Sequence, residues 1–83
     1  MRKAESSSVK SATRTLDILE YVVGSRRPVS AAEIASALAI PVSSLSYLLA
    51  TLIERGYLTR NGRSHLPGPA LARLHPDETV GAL

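Results

Sequence analysis

The sequence predicts a mainly α domain carrying one small β-hairpin, and three observations lead there. Apolar residues recur at helical spacing in three stretches before residue 56. A capping box, a proline and two glycines punctuate those stretches. Beyond Gly56 a β-prone run is split by Asn61-Gly62, a dipeptide favoured in tight hairpin turns. At 83 residues the chain makes one small domain. With no Phe or Trp, its core must come from Leu, Ile, Val and Ala.

The first helix is predicted over Ser11–Val23. Leu16, Leu19 and Val23 form its inner stripe, Ile18 and Val22 widen it, and Arg14, Asp17 and Glu20 face away. Gly24 suits the position just past a helix end. Residues 1–10 carry charge without an apolar run and read as a flexible arm. Ser25–Pro28 is a loop.

The second helix has the clearest start. Ser30-Ala31-Ala32-Glu33 is a capping box, in which the Ser hydroxyl accepts from the N3 amide and the Glu reaches back to the cap amide. Val29 and Ile34 supply the matching hydrophobic staple. The helix ends near Leu38, and alanines at 31, 32, 35, 37 and 39 leave room for a neighbouring helix. Pro41 suits the first position of a third helix, which runs to Arg55 before Gly56. Leu45, Leu48, Leu49, Leu52 and Ile53 give it a clean apolar face, read as core and not as a dimer zipper. Two helices joined by so few residues form a helix-turn-helix.

Tyr57–Arg60 and Arg63–Leu66 read as two strands around an Asn61-Gly62 type I′ turn. A two-stranded wing after the third helix makes the fold a winged helix-turn-helix, with the domain spanning 11–66. Pro67-Gly68-Pro69 closes the wing, 67–75 starts a fourth, linker helix, and 76–83 reads as a frayed tail.

Composition narrows the function. Zero Cys removes disulfides, thiolate metal sites and Cys nucleophiles. The two histidines, His65 and His75, have no carboxylate cluster near them, so no metal centre, cofactor or enzymatic chemistry is expected. His65, on the returning strand, is expected to be half-exposed. No apolar run approaches the roughly 20 residues of a membrane span, and the first residues lack the apolar core of a secretory signal. A cytoplasmic protein is expected. Ten Lys/Arg against seven Asp/Glu give a net charge of +3, a mild excess whose placement matters more than its size. Six basic residues precede position 30, none lies between Val29 and Glu54, and Arg55, Arg60 and Arg63 follow.

Arg14-x-Leu16-x-Ile18-Leu19, Glu33-Ile34-Ala35, Leu48-Leu49-x-Thr51-Leu52, Gly56-Tyr57 and Gly68-Pro69 together resemble the DNA-binding domain of the IclR family of bacterial transcription regulators. The resemblance covers roughly residues 8 to 74. It implies sequence-specific binding of double-stranded DNA by a homodimer that pairs through its first and fourth helices. Family members are about three times longer, with a linker helix and an effector-binding domain after the winged domain. This chain therefore looks like the DNA-binding module alone, with the small-molecule effector site outside it.

In such a module the third helix lies in the major groove. Its positions exposed by periodicity are Val42, Ser43, Ser44, Ser46, Tyr47, Ala50 and Thr51. Hydroxyls read bases with little selectivity, and Tyr47 can bond a phosphate or pack on sugar and a thymine methyl. Val42 stands where the family commonly has Lys, Ser44 where it has Thr, Ser46 where it has His, and Tyr47 where it has Arg. Ala39 stands where it usually has Gly in the turn, at a cost on the order of 1 kcal/mol if that position needs a positive φ. In the wing, Arg63 is expected near the minor groove and Arg60 on a phosphate. Free amides around Ser30, Ala31 and Ala32 offer a further phosphate seat, partly occupied by Glu33. Arg26 and Arg27 read as a solvated loop. The cation-poor third helix leaves a rival open, a winged helix that binds a protein partner through Val42, Ser46 and Tyr47.

Overall fold

The computed structural model describes residues 2–74, with side chains from Val9 onward. Helix α1 spans Arg2–Ser25, strand β1 Val29–Ser30, α2 Ala31–Leu38, α3 Val42–Glu54, β2 Leu58–Asn61, β3 Ser64–Pro67 and α4 Leu71–Leu74. The fold is the mainly helical winged helix-turn-helix that the sequence predicts. The tail expected over 76–83 lies outside the described residues.

Helix α1 departs from expectation at both ends. It begins at Arg2, so the arm expected over 1–10 is helical from residue 2; no Pro or Gly precedes Gly24 to stop a helix growing backwards. It also runs through Gly24 to Ser25, and the left-handed residue that turns the chain is Arg26, at φ 55°. The inner stripe differs too. Ile18 and Val22 are fully buried, whereas Leu16 is 58% and Val23 45% exposed, and Leu19 is half-buried. Two apolar rows share this helix, and the rest of the domain docks on the Ile18–Val22 row.

The start of α2 is largely as expected. Ser30 is the N-cap, its Oγ accepting from the Glu33 amide at 3.1 Å. Val29 and Ile34, the staple pair, are both buried. Glu33 itself does not reach back to the cap amide, because its carboxylate is taken by Tyr21 and Arg27. At the other end Ala39 adopts φ 54°, ψ 45°, and its amide donates to the Ala35 carbonyl. The turn keeps its left-handed geometry with Ala, at a cost on the order of 1 kcal/mol.

The chain turns by 118° between α2 and α3. Pro41 is the N-cap of α3 and not its first helical residue, at φ −58°, ψ 141°. Leu45, Leu49 and Leu52 are buried, with Leu48 and Ile53 packed at the edge of the same core. The helix closes in a Schellman motif. Gly56 sits at φ 84°, its amide donates to Ile53 at 3.0 Å, and the Tyr57 amide donates to Leu52 at 2.9 Å.

The sheet has three strands where two were expected, in the order β1-β3-β2, all antiparallel. Val29 and Ser30 pair with His65 and Ser64. The turn is also one residue later than expected: Asn61 pairs with Ser64, leaving Gly62-Arg63 as the tip. Gly62, at φ 67°, supplies the positive φ that a II′ turn needs at its first central position.

Beyond the wing, the Gly68 amide donates to Tyr57 at 2.8 Å and the Ala70 amide to Gly56 at 2.8 Å. A Cβ on Gly68 would lie 2.3 Å from the Gly56 carbonyl oxygen and 2.9 Å from the Leu58 amide nitrogen. Both neighbours are backbone, so Gly68→Ala should destabilise the domain by roughly 1–3 kcal/mol or more. Gly24 has nothing within 4 Å of such a Cβ and sits inside a helix. Gly24→Ala should therefore stabilise it by roughly 0.5–1 kcal/mol. Urea unfolding of the two variants checks both signs.

Candidate nucleic-acid interface

The outward side of α3 consists of two adjacent rows at i, i+4 spacing. One row is Val42, Ser46 and Ala50, and the other is Ser43, Tyr47 and Thr51; all six are exposed. Val42 is 66% and Tyr47 78% exposed. Ser44, expected beside them, is half-buried and lies off these rows. The Thr51 hydroxyl donates to the Tyr47 carbonyl at 3.0 Å, so its proton is already committed. No Lys, Arg, Asp or Glu occurs from Ile34 to Ile53.

Beside the first row runs an open cleft between α3 and the wing. Ser30, Ala31 and Ala32 at the start of α2 line one end; Ser46, Leu49, Ala50 and Ile53 of α3 form one wall; Arg60, Arg63 and His65 form the other. Seven of the twelve residues that the sequence offers as contacts thus meet in one place: Ser30, Ala31, Ala32, Ser46, Ala50, Arg60 and Arg63. Val42, Ser43, Tyr47 and Thr51 lie on the adjoining exposed rows. Arg60 folds over the wing tip, its Nε donating to the Gly62 carbonyl at 2.9 Å, which holds its guanidinium at the cleft's rim. Both arginines are exposed, and no carboxylate lines the cleft.

The family model for the IclR helix-turn-helix domain matches residues 11–62. The chain belongs to the IclR family. Among solved structures, an IclR family transcriptional regulator from Brucella abortus is similar at 25% identity and a TM-score of 0.74, over 81% of this chain and 26% of that one. The Agobacterium tumefaciens repressor BlcR is similar at 28% identity and 0.73, over 99% and 36%. An IclR-family protein from Rhodococcus sp. is similar at 29% and 0.71, over 88% and 33%. The chain therefore spans about a quarter to a third of the length of these relatives. No curated protein sequence matches it.

In this IclR domain His65 corrects the sequence reading. It is 5% exposed, not half-exposed, and its Nδ1 has no hydrogen-bond partner among the described residues. The cause is β1: β3 becomes the central strand, and His65 pairs with Val29 on one side and Arg60 on the other. The only sequence signal for that strand is Val29 next to a capping Ser, which reads more simply as a staple.

Arg27 also departs from the solvated loop expected of it. Its guanidinium grips Glu33 through both nitrogens, at 3.1 and 2.5 Å, while the Tyr21 hydroxyl donates to the same carboxylate at 2.7 Å. The cluster ties α1, the loop after it and the first turn of α2. It also occupies the one acidic side chain near the amides of Ser30 and Ala31. Hydrogen bonds from Arg27 and then Tyr21 hold the Glu33 carboxyl at about 2, against an ordinary 4.5. The Tyr21 phenol is raised above 10.0, chiefly by its bond to Glu33.

Because the folded-state value is depressed, the cluster's stabilisation is present above the unfolded value of 4.5 and fades as pH falls through about 2. The gap in urea midpoint between wild type and Glu33→Gln should narrow steadily between pH 5 and pH 2. A gap of constant size would mean that the carboxylate's charge is not what holds the cluster.

Proposed function

We propose that this domain binds duplex DNA sequence-specifically, as the DNA-reading module of a bacterial, cytoplasmic transcription regulator. It acts by occupying a site and not by chemistry. The observation that carries the reading is the cleft. Two exposed arginines of the wing face the free amides at the start of α2, beside a helix whose outer rows are open. A DNA strand passing from the major groove, where α3 would lie, to the next minor groove, where the wing would reach, would run over that cleft. Its phosphates would meet Arg60, Arg63 and the α2 amides, with Ser30 and Ala31 lining the seat. Val42, Ser43, Ser46, Tyr47 and Thr51 would face the base edges; Ser44, half-buried, would serve the helix's footing more than its contacts.

A dimer is part of the proposal. Val9, Leu16 and Val23 are exposed at seven-residue spacing on α1, with Ala12 and Leu19 between them. That spacing matches the a and d positions of a two-helix coiled coil. Leu74, exposed on α4, adds to the apolar surface. Pairing of two copies through α1 and α4 would set two half-sites about one helical turn apart, or a multiple of it.

The uncharged, exposed Val42 and Tyr47 favour one rival, a winged helix that grips a protein through α3. Charge separates the two. Replacing Arg60 and Arg63 by Ala should weaken binding to every duplex tested. It should also lower the slope of log K against log salt by about 0.9 for each phosphate that is no longer neutralised. DNA affinity and salt slope that survive both substitutions would remove the wing from the reading. A DNA-silent domain with an intact fold would favour the protein partner.

A further inference from the structure

We infer that α3 selects its sites through the C5-methyl groups of thymine, so that affinity and specificity reside in separate parts of the domain. The inference rests on the DNA-binding reading above and names what that surface reads. Each base offers the major groove a different partner. Guanine is read by Arg or Lys, adenine by Asn or Gln, cytosine by an acid, and thymine by apolar contact with its methyl. From Ala39 to Ile53 the chain contains no Arg, Lys, Asn, Gln, Asp or Glu. The donors that fix guanine and adenine, and the acceptors that fix cytosine, are thus missing from both outward rows of the groove-facing helix.

What remains is hydroxyl and apolar. Ser43 and Ser46 are exposed, and a hydroxyl bonds to any of the bases. The Thr51 hydroxyl already donates to the helix backbone. The apolar groups are open: Val42 begins one row and Ala50 ends it, while Tyr47 sits in the middle of the other. Val42, at the first helical position, is 66% exposed and buries little of its side chain in the fold. Against a thymine methyl it gains the burial of a methyl-sized group, about fourfold in affinity. The cations lie beside this helix and not on it, at Arg60 and Arg63. They would hold DNA of any sequence, and the methyl contacts would decide where the domain stops.

The test is selection of the chain against a random duplex library at low salt, followed by replacing each thymine of the winning duplex with deoxyuridine. Uracil keeps the pairing and the O4 acceptor and lacks only the methyl. The expected winner carries thymines in each half-site. Uracil at one or more of them should weaken binding about fourfold per methyl. Val42→Ala and Tyr47→Ala, whose fold is safe because both side chains are exposed, should each lose the uracil effect at the thymine which that side chain reads and keep it elsewhere. Three results overturn the inference while leaving DNA binding intact: no enriched sequence, a site insensitive to uracil at every position, or uracil sensitivity unchanged in both variants. A folded chain that retains no duplex at all overturns the DNA-binding reading and this inference together.

Discussion

Two residues, Val29 and Ser30, join the wing to the helix-turn-helix, and the candidate site exists because of them. Ser30 pairs with Ser64 in the sheet and caps α2 with the same side chain that accepts from Glu33. Val29 pairs with His65 and buries its side chain in the core beside Ile34. A hairpin alone is marginal in water and free to swing. With β1 added, β3 becomes an inner strand, and the angle between wing and α3 is fixed by backbone hydrogen bonds. The cleft is the space that this angle leaves.

The distribution of charge follows the same division. The outward rows of α3 are uncharged, the cations sit on the wing, and the acid at the start of α2 is held by Arg27 and Tyr21. That last arrangement matters for an anion approaching the α2 amides, since a free Glu33 would repel it. His65 stands at the centre of the arrangement, buried on the middle strand with its Nδ1 unpaired among the described residues. Arg26 and Ala39 hold left-handed backbone without being glycine, so both loops flanking β1 and α2 carry some strain.

The helix-turn-helix is legible in the sequence because its signals are local. Ser30 and Glu33 mark one boundary, Pro41 and Gly56 two more, and the leucines of α3 repeat with a period that only a helix satisfies. The residues that meet at the cleft can be picked out one by one, from chemistry and resemblance, without any sign that they adjoin. What is illegible depends on distant partners. Helix α1 has two apolar rows, Ile18–Val22 and Leu16–Val23, and periodicity alone does not say which one the domain covers. The hairpin register slips by one because Asn61-Gly62 and Gly62-Arg63 both put a glycine where a turn needs it. Strand β1 is two residues long, too short for any alternation, and so the burial of His65 is hidden with it.

The central claim is that α3, the cleft and the wing form one DNA-binding surface. An NMR titration of the labelled chain with a short duplex at low salt tests it most directly, since it registers weak contacts residue by residue. The account predicts shifts grouped at Ser30–Ala32, at Val42–Thr51 and at Arg60–His65, all reversed by added salt. Shifts confined to α1, or none at roughly millimolar duplex with the fold intact, would contradict it.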